Sequence, residues 1–157
     1  MANYLNFFVR IVTNLVIFLA ISLYFIAPAT AITQKLQLYS TTGHIIKTTF
    51  SYDQTPDLTP IREQGAGKTQ TLEALTISFY QPSGELIATY NNIVNGVVTD
   101  NYLEFNFDPA TKKLLDNLDL GGELAGEMYL KGNVEEGLSL IEVTASGEEK
   151  VIAQIVR

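Results

Sequence analysis

Four carboxylates crowd one short stretch of this chain: Asp116, Asp119, Glu123 and Glu127, with Asn117 and Gly121-Gly122 between them. A glycine-containing acidic segment supplies the hard oxygen ligands that calcium takes, which makes Asp116, Asp119 and Glu123 the calcium candidates. Their spacing is not that of an EF-hand loop, which wants alternate ligands, a central glycine and a terminal glutamate. Paired carboxylates also hydrolyse glycosides, one acting as acid and the other as base or nucleophile. The plainer alternative is a solvated acidic face at a helix end.

Other residues with chemical potential are sparse. His44 is the only histidine and there is no cysteine. A zinc site normally needs several such ligands, and a Ser-His-Asp triad needs an activated serine beside its histidine. No G-x-S-x-G occurs. The bland reading of His44 is a polar residue at a strand start. Gly65-Ala66-Gly67-Lys68-Thr69 looks like the end of a phosphate-binding loop. That motif needs a glycine where this chain has Arg62, a buried strand before it and a helix after it. The preceding Thr59-Pro60-Ile61-Arg62-Glu63 is not such a strand, and Thr71 to Phe79 continues as a strand. No catalytic residue, metal site or cofactor follows from these patterns.

The aromatic residues suggest a surface instead. Tyr80, Tyr102 and Tyr129 fall on outward positions of their strands. If those strands are neighbours, the three form an exposed platform of the type favoured in recognition, a large area with a polar tip. Scattered cross-strand pairing is the alternative.

These residues are positioned by segments whose dominant period is two. Ile46, Thr48, Phe50 and Tyr52 share one face; Leu75, Ile77 and Phe79 alternate with Thr76, Ser78 and Tyr80. Leu103, Phe105 and Phe107 alternate with Tyr102, Glu104 and Asn106. Leu124, Gly126, Met128 and Leu130 alternate with Glu123, Ala125, Glu127, Tyr129 and Lys131. Such runs are half-buried strands. Turns fall at Thr42-Gly43, Gln81-Pro82-Ser83-Gly84, Asn95-Gly96, Gly132-Asn133 with Glu135-Glu136-Gly137, and Ser146-Gly147-Glu148. Leu138–Thr144 and Lys150–Arg157 are the last two strands.

The expectation is an all-β, mainly antiparallel fold. It is a seven- or eight-stranded meander forming a sandwich or small barrel, with one short helix. That helix runs from the Asp108-Pro109 cap through Leu118, with Leu114, Leu115 and Leu118 on one side. At about ten residues it must lean on the sheet. Thr55 to Thr71 has no periodicity and reads as a long loop, for surface or binding use.

The N-terminus has its own signature. Met1 to Arg10 carries one basic side chain, Leu15 to Ala27 is apolar apart from Ser22, and Pro28-Ala29-Thr30-Ala31 ends the segment with a small-x-small triplet. This tripartite pattern makes residues 1–31 an apolar leader helix and a secretory signal peptide cleaved after Ala31. Residues 32–157 are then a single β domain. The apolar core is shorter than the roughly 20 residues of a spanning helix, so a retained membrane anchor is the lesser alternative. A lipoprotein anchor would need a cysteine.

Without the leader, nine Lys and Arg stand against seventeen Asp and Glu, a formal charge of −8. Such a surface repels nucleic acid and anionic headgroups. The functional expectation is an exported (periplasmic, lumenal or secreted) β domain. It acts as a non-catalytic binding or assembly module for a protein partner or small apolar ligand. The alternatives are a carboxylate-based extracytoplasmic enzyme or, with the leader retained, a membrane-tethered domain. A cleft holding two of the acidic residues would favour the enzyme; a filled interior would count against it.

Overall fold

Period-two patterning becomes antiparallel strand pairing throughout the domain. The structure, a computed structural model, describes residues 31–53, 59–99 and 102–156. The leader expectation lies outside these residues apart from Ala31. The strands are β1 (Ala31–Ser40), β2 (Ile45–Asp53), β3 (Ile61–Gln64), β4 (Gly67–Lys68), β5 (Leu72–Tyr80), β6 (Leu86–Val94), β7 (Val97–Val98), β8 (Glu104–Asp108), β9 (Lys113–Leu114), β10 (Asn117–Gly121), β11 (Met128–Asn133), β12 (Gly137–Val143) and β13 (Glu149–Val156). Hydrogen bonding orders them β3-β8-β10-β11-β12-β13-β1-β2-β5-β6-β7-β4, with β9 paired to β8. The result is a strongly curled half-barrel.

Among the described residues thirteen strands replace the seven or eight expected, because β3, β4 and β7 are short pairings within segments that read as turn or loop, and β9 and the start of β10 fall in the segment that read as a helix. The expected helix at Asp108–Leu118 is absent. Asp108 does accept the Ala110 N–H at 2.8 Å and the Thr111 hydroxyl at 2.7 Å, but it caps a turn rather than a helix. Lys112 and Asp116 then take positive φ, 57° and 47°, which no helix tolerates. Leu118 and Leu120 are buried at period two, opposite Gly132 and Leu130 of β11. So short a helix is marginal, and strand pairing on both sides outweighs it.

The core lies inside the curl. Phe50 of β2 meets Phe105 and Phe107 of β8 edge-on, with ring centroids 4.9 and 4.7 Å apart. These rings join the β1-β2-β5-β6 wall to the β8-β10-β11-β12 wall and fill the interior. On β8 the opposite face is not bare. Asn106 is buried, donating to the Asn117 carbonyl at 2.8 Å and accepting from Arg62 at 3.3 Å.

The described part of the segment read as an aperiodic loop is built around one carboxylate. Glu63 is 4 % exposed. Its Oε1 accepts the N–H groups of Gln70 (3.1 Å), Thr71 (2.6 Å) and Leu72 (3.1 Å), and its Oε2 that of Gln70 (3.0 Å). Consecutive amides converging on an anion form a nest. Here the anion is internal, and it folds Gly65–Thr69 back against β5.

Candidate functional site

An acidic cleft of about 580 Å³ opens where β10 and the β10–β11 turn face β6. Asn92 of β6 forms its base. The side chain mimics a strand neighbour: Nδ2 donates to the Gly121 carbonyl at 2.7 Å and Oδ1 accepts the Gly121 N–H at 3.1 Å. Gly121 has φ +132°, and a Cβ there would lie 2.4 Å from the Met128 carbonyl oxygen, so only glycine lets β10 and β11 approach so closely.

Strand register brings the charges together. Asp119 on β10 pairs with Lys131 on β11, and their side chains form an ion pair at 2.8 Å with the Asp119 side chain only 12 % exposed. That bond raises the Lys131 pKa. Glu123 follows in the turn, where burial first and then the adjacent Asp119 push its carboxyl up to about 7. Glu127 holds the turn by accepting the Leu124 N–H at 2.8 Å. Glu149 of β13 and the exposed Tyr102 and Leu124 complete the walls.

The calcium candidates are divided by this geometry. Asp119 and Glu123 share the cleft, but Asp116 binds Arg62 at 2.5 Å and lines a different hollow with Asn106 and Asn133. Among the described residues no group of three or more His, Asp or Glu is placed to hold a metal ion.

The tyrosine platform does not form. Tyr80 on β5 lies in the opposite wall, with the Lys47 ammonium 4.6 Å from its ring centroid. Tyr102 is exposed on the cleft rim. Tyr129 does point away from the main core, as alternation requires, but it is fully buried. Its ring packs on Ile141 and Val143 in a small second cluster on the outer face, under the Lys131 ammonium. Burial, then Glu149, Glu123 and Asp119, raise its phenol pKa.

A second concavity is apolar and was not legible as a site. Among the described residues β1 pairs with β13 only at Tyr39–Val156 and Ser40–Ile155. Beside this corner lies a groove of about 590 Å³ walled by Leu36, Leu38, Leu114, Val134, Leu138 and Ile155, with Lys112, Lys113 and Glu135 at its edge. The available signal was the apolar alternation Ile32, Leu36, Leu38 in β1, half-buried in a strand lying along the gap.

His44 sits before β2, its Nδ1 2.9 Å from the Thr42 hydroxyl. No protein-family model matches the chain, and searches of curated proteins and of solved structures give no match either.

Proposed function

We propose that this chain is an exported, non-catalytic binding module whose apolar groove takes a small apolar ligand or an apolar segment of a protein partner. One observation carries the reading: the groove beside the β1–β13 corner is concave, largely apolar and of ligand size. Phenyl rings fill the centre of the curl, so the groove rather than the interior supplies the space. The export half rests on the signature of residues 1–31, and its test is the intact mass of the native protein: a species beginning at Ile32 is expected, and one retaining residues 1–31 would refute it.

Fluorescence of N-phenyl-1-naphthylamine tests the groove. The expected result is saturable enhancement that Leu114→Asp weakens about tenfold or more, because a charge replaces apolar wall. Leu114 is only half-buried, so the variant should keep its melting temperature. Equal enhancement in both proteins, or none in either, refutes the reading. A carboxylate-based enzyme is the second reading, favoured by the cleft that holds both Asp119 and Glu123. The filled interior counts against it. Hydrolysis of chromogenic glycosides, abolished in Glu123→Gln, would promote it.

A further inference from the structure

Strand β1 is covered unequally on its two sides. On one side β2 pairs with it from Ala31 to Tyr39 without a register shift. On the other, β13 covers only Tyr39 and Ser40, and the Thr41 N–H beyond them donates to the Gln154 carbonyl at 2.7 Å. From Ala31 to Leu38 no described strand lies on that side. Hydrogen-bond direction alternates along a strand. The Ser40 N–H turns to the β2 side, donating to the His44 carbonyl at 3.0 Å, whereas that of Thr41 turns to β13. Counting back by twos from Thr41, the N–H and C=O groups of Thr33, Lys35 and Gln37 aim at the open edge. An open edge of this kind is a template for another strand.

The apolar groove adjoins this edge. Leu36 and Leu38 of β1 line one wall, Leu114 of β9 and Leu138 of β12 the other, and Ile155 lines the β13 end. A small apolar molecule could fill the groove but would leave the amides and carbonyls of Thr33, Lys35 and Gln37 to water. An extended peptide answers both features. Its side chains alternate, so every second one falls beside Leu36 and Leu38 while those between face solvent with Lys35 and Gln37. Charge narrows the partner further. Lys112 and Lys113 are exposed at the groove's edge against one carboxylate, Glu135. Among the described residues neither lysine has an ion-pair partner. In a chain of net charge −7 this rim is locally positive, and it complements an acidic segment.

We propose that the open edge of β1 and the groove together take an extended segment of a protein partner, added as a strand antiparallel to β1 and in line with β13. This names the occupant of the groove and rests on the reading of that groove as a binding site. Alternate partner residues exchange N–H and C=O bonds with Thr33, Lys35 and Gln37. The residues between them set apolar, β-branched side chains against Leu36, Leu38 and Leu114. An acidic residue flanking this run meets Lys112 and Lys113. Backbone bonds hold the strand, and the groove selects its sequence.

Calorimetry on the native protein tests this with the peptide acetyl-Asp-Val-Thr-Val-Thr-Val-Asp-amide. Saturable binding that displaces N-phenyl-1-naphthylamine is expected. Two N-methylated forms of the peptide read the edge. Residues opposite each other in an antiparallel pair share a face, so the threonine N–H groups point at β1 and the valine N–H groups point away. Methylating both threonine nitrogens should weaken binding about tenfold or more, and methylating two valine nitrogens less than about threefold. Lys35→Pro removes one edge N–H without touching the β2 ladder, and should weaken binding about tenfold at an unchanged melting temperature. Asparagine in place of both peptide aspartates should weaken it several-fold at low salt. No saturable heat, or equal loss from the two methylations, overturns the proposal. If the naphthylamine still binds in that case, the groove stands and only the strand falls. A concentration-dependent dimer that the peptide does not dissociate overturns it in favour of a second copy. Peptide binding that appears only once residues 1–31 are removed overturns it in favour of the chain's own leader.

Discussion

Replacing Glu63 by alanine should cost more than any other single carboxylate in the described part of the chain. The side chain is buried and receives N–H groups from three consecutive residues, Gln70, Thr71 and Leu72, at 2.6 to 3.1 Å. A hydrogen bond to a charged group contributes about 1.5–3 kcal/mol net. Simple addition overstates the loss, because the Gln70 and Thr71 amides can turn to water once the carboxylate is gone. The Leu72 amide cannot, since that residue is wholly buried at the start of β5. One bond lost in full, two in part and a small void together give about 3–4 kcal/mol. A domain of this size holds about 5–15 kcal/mol in all, and no disulfide supplements it. Glu63→Gln keeps the volume but presents an NH₂ to amide donors, and should recover less than half of the loss. Urea denaturation followed by circular dichroism measures both variants, with Glu73→Gln as an exposed control expected within about 0.5 kcal/mol of wild type. Hydrogen exchange at the Leu72 amide should accelerate in Glu63→Ala before global unfolding. A cost below about 1 kcal/mol, with Leu72 still protected, would refute the assignment of this loop to the buried carboxylate.

Phe105→Ala and Phe107→Ala should each cost about 3–5 kcal/mol in the same denaturation, by lost transfer energy and an unfilled cavity. Asn106→Ala should cost about 1–3 kcal/mol, because it removes the two hydrogen bonds of a buried amide, to the Asn117 carbonyl and from Arg62, whereas Tyr102→Ala should stay within about 1 kcal/mol. Equal costs at all four positions would mean that β8 is covered alike on both faces. Glu123 has a folded pKa of about 7, above its ordinary carboxylate value, so the folded state binds more protons between the two. Its contribution to stability is therefore present at low pH and is lost as pH rises through that window. Melting temperatures from about pH 4.5 to 8 should show this decline in wild type and a shallower one in Glu123→Gln; parallel curves would contradict it.

Much of the fold was legible because its walls are single-sided sheets. Ile46, Phe50, Leu75, Ile77, Phe79, Phe105 and Phe107 alternate with polar residues and are all buried, so period two reported the core directly. Turn chemistry was equally open to reading. Gly43, Gly84, Asn95-Gly96 and Gly147 all adopt the positive φ that their turns demand. Failures came where two rules competed for one segment. Leu114, Leu115 and Leu118 mark a helical stripe, while Leu118 and Leu120 mark a strand, and only pairing with β8 and β11 decides between them. Leu124 and Gly126 extend the alternation of β11 backwards, yet they form an exposed turn. The reason is that Gly121 must bring β10 against Met128 at once.

The acidic site was half legible, and the missing half is a matter of register. Local spacing put Asp116, Asp119 and Glu123 together, but one-dimensional distance is a poor guide on a strand, where successive residues face opposite sides. Asp116 leaves the group because its positive φ turns the chain just before β10 and hands its carboxylate to Arg62, 54 positions upstream. Lys131 joins because pairing Asp119 with it across β10 and β11 places opposite charges on one face. Glu149 joins only through the β12–β13 hairpin, which sets it opposite Val143. The outward alternation of Glu127, Tyr129 and Lys131 did carry a warning. A tyrosine flanked on its own face by two charges, beside a strand with Ile141 and Val143 on the same side, has apolar neighbours to bury against. That burial leaves its hydroxyl among carboxylates rather than in water, and both the lost solvent and the neighbouring negative charge hold the phenol protonated.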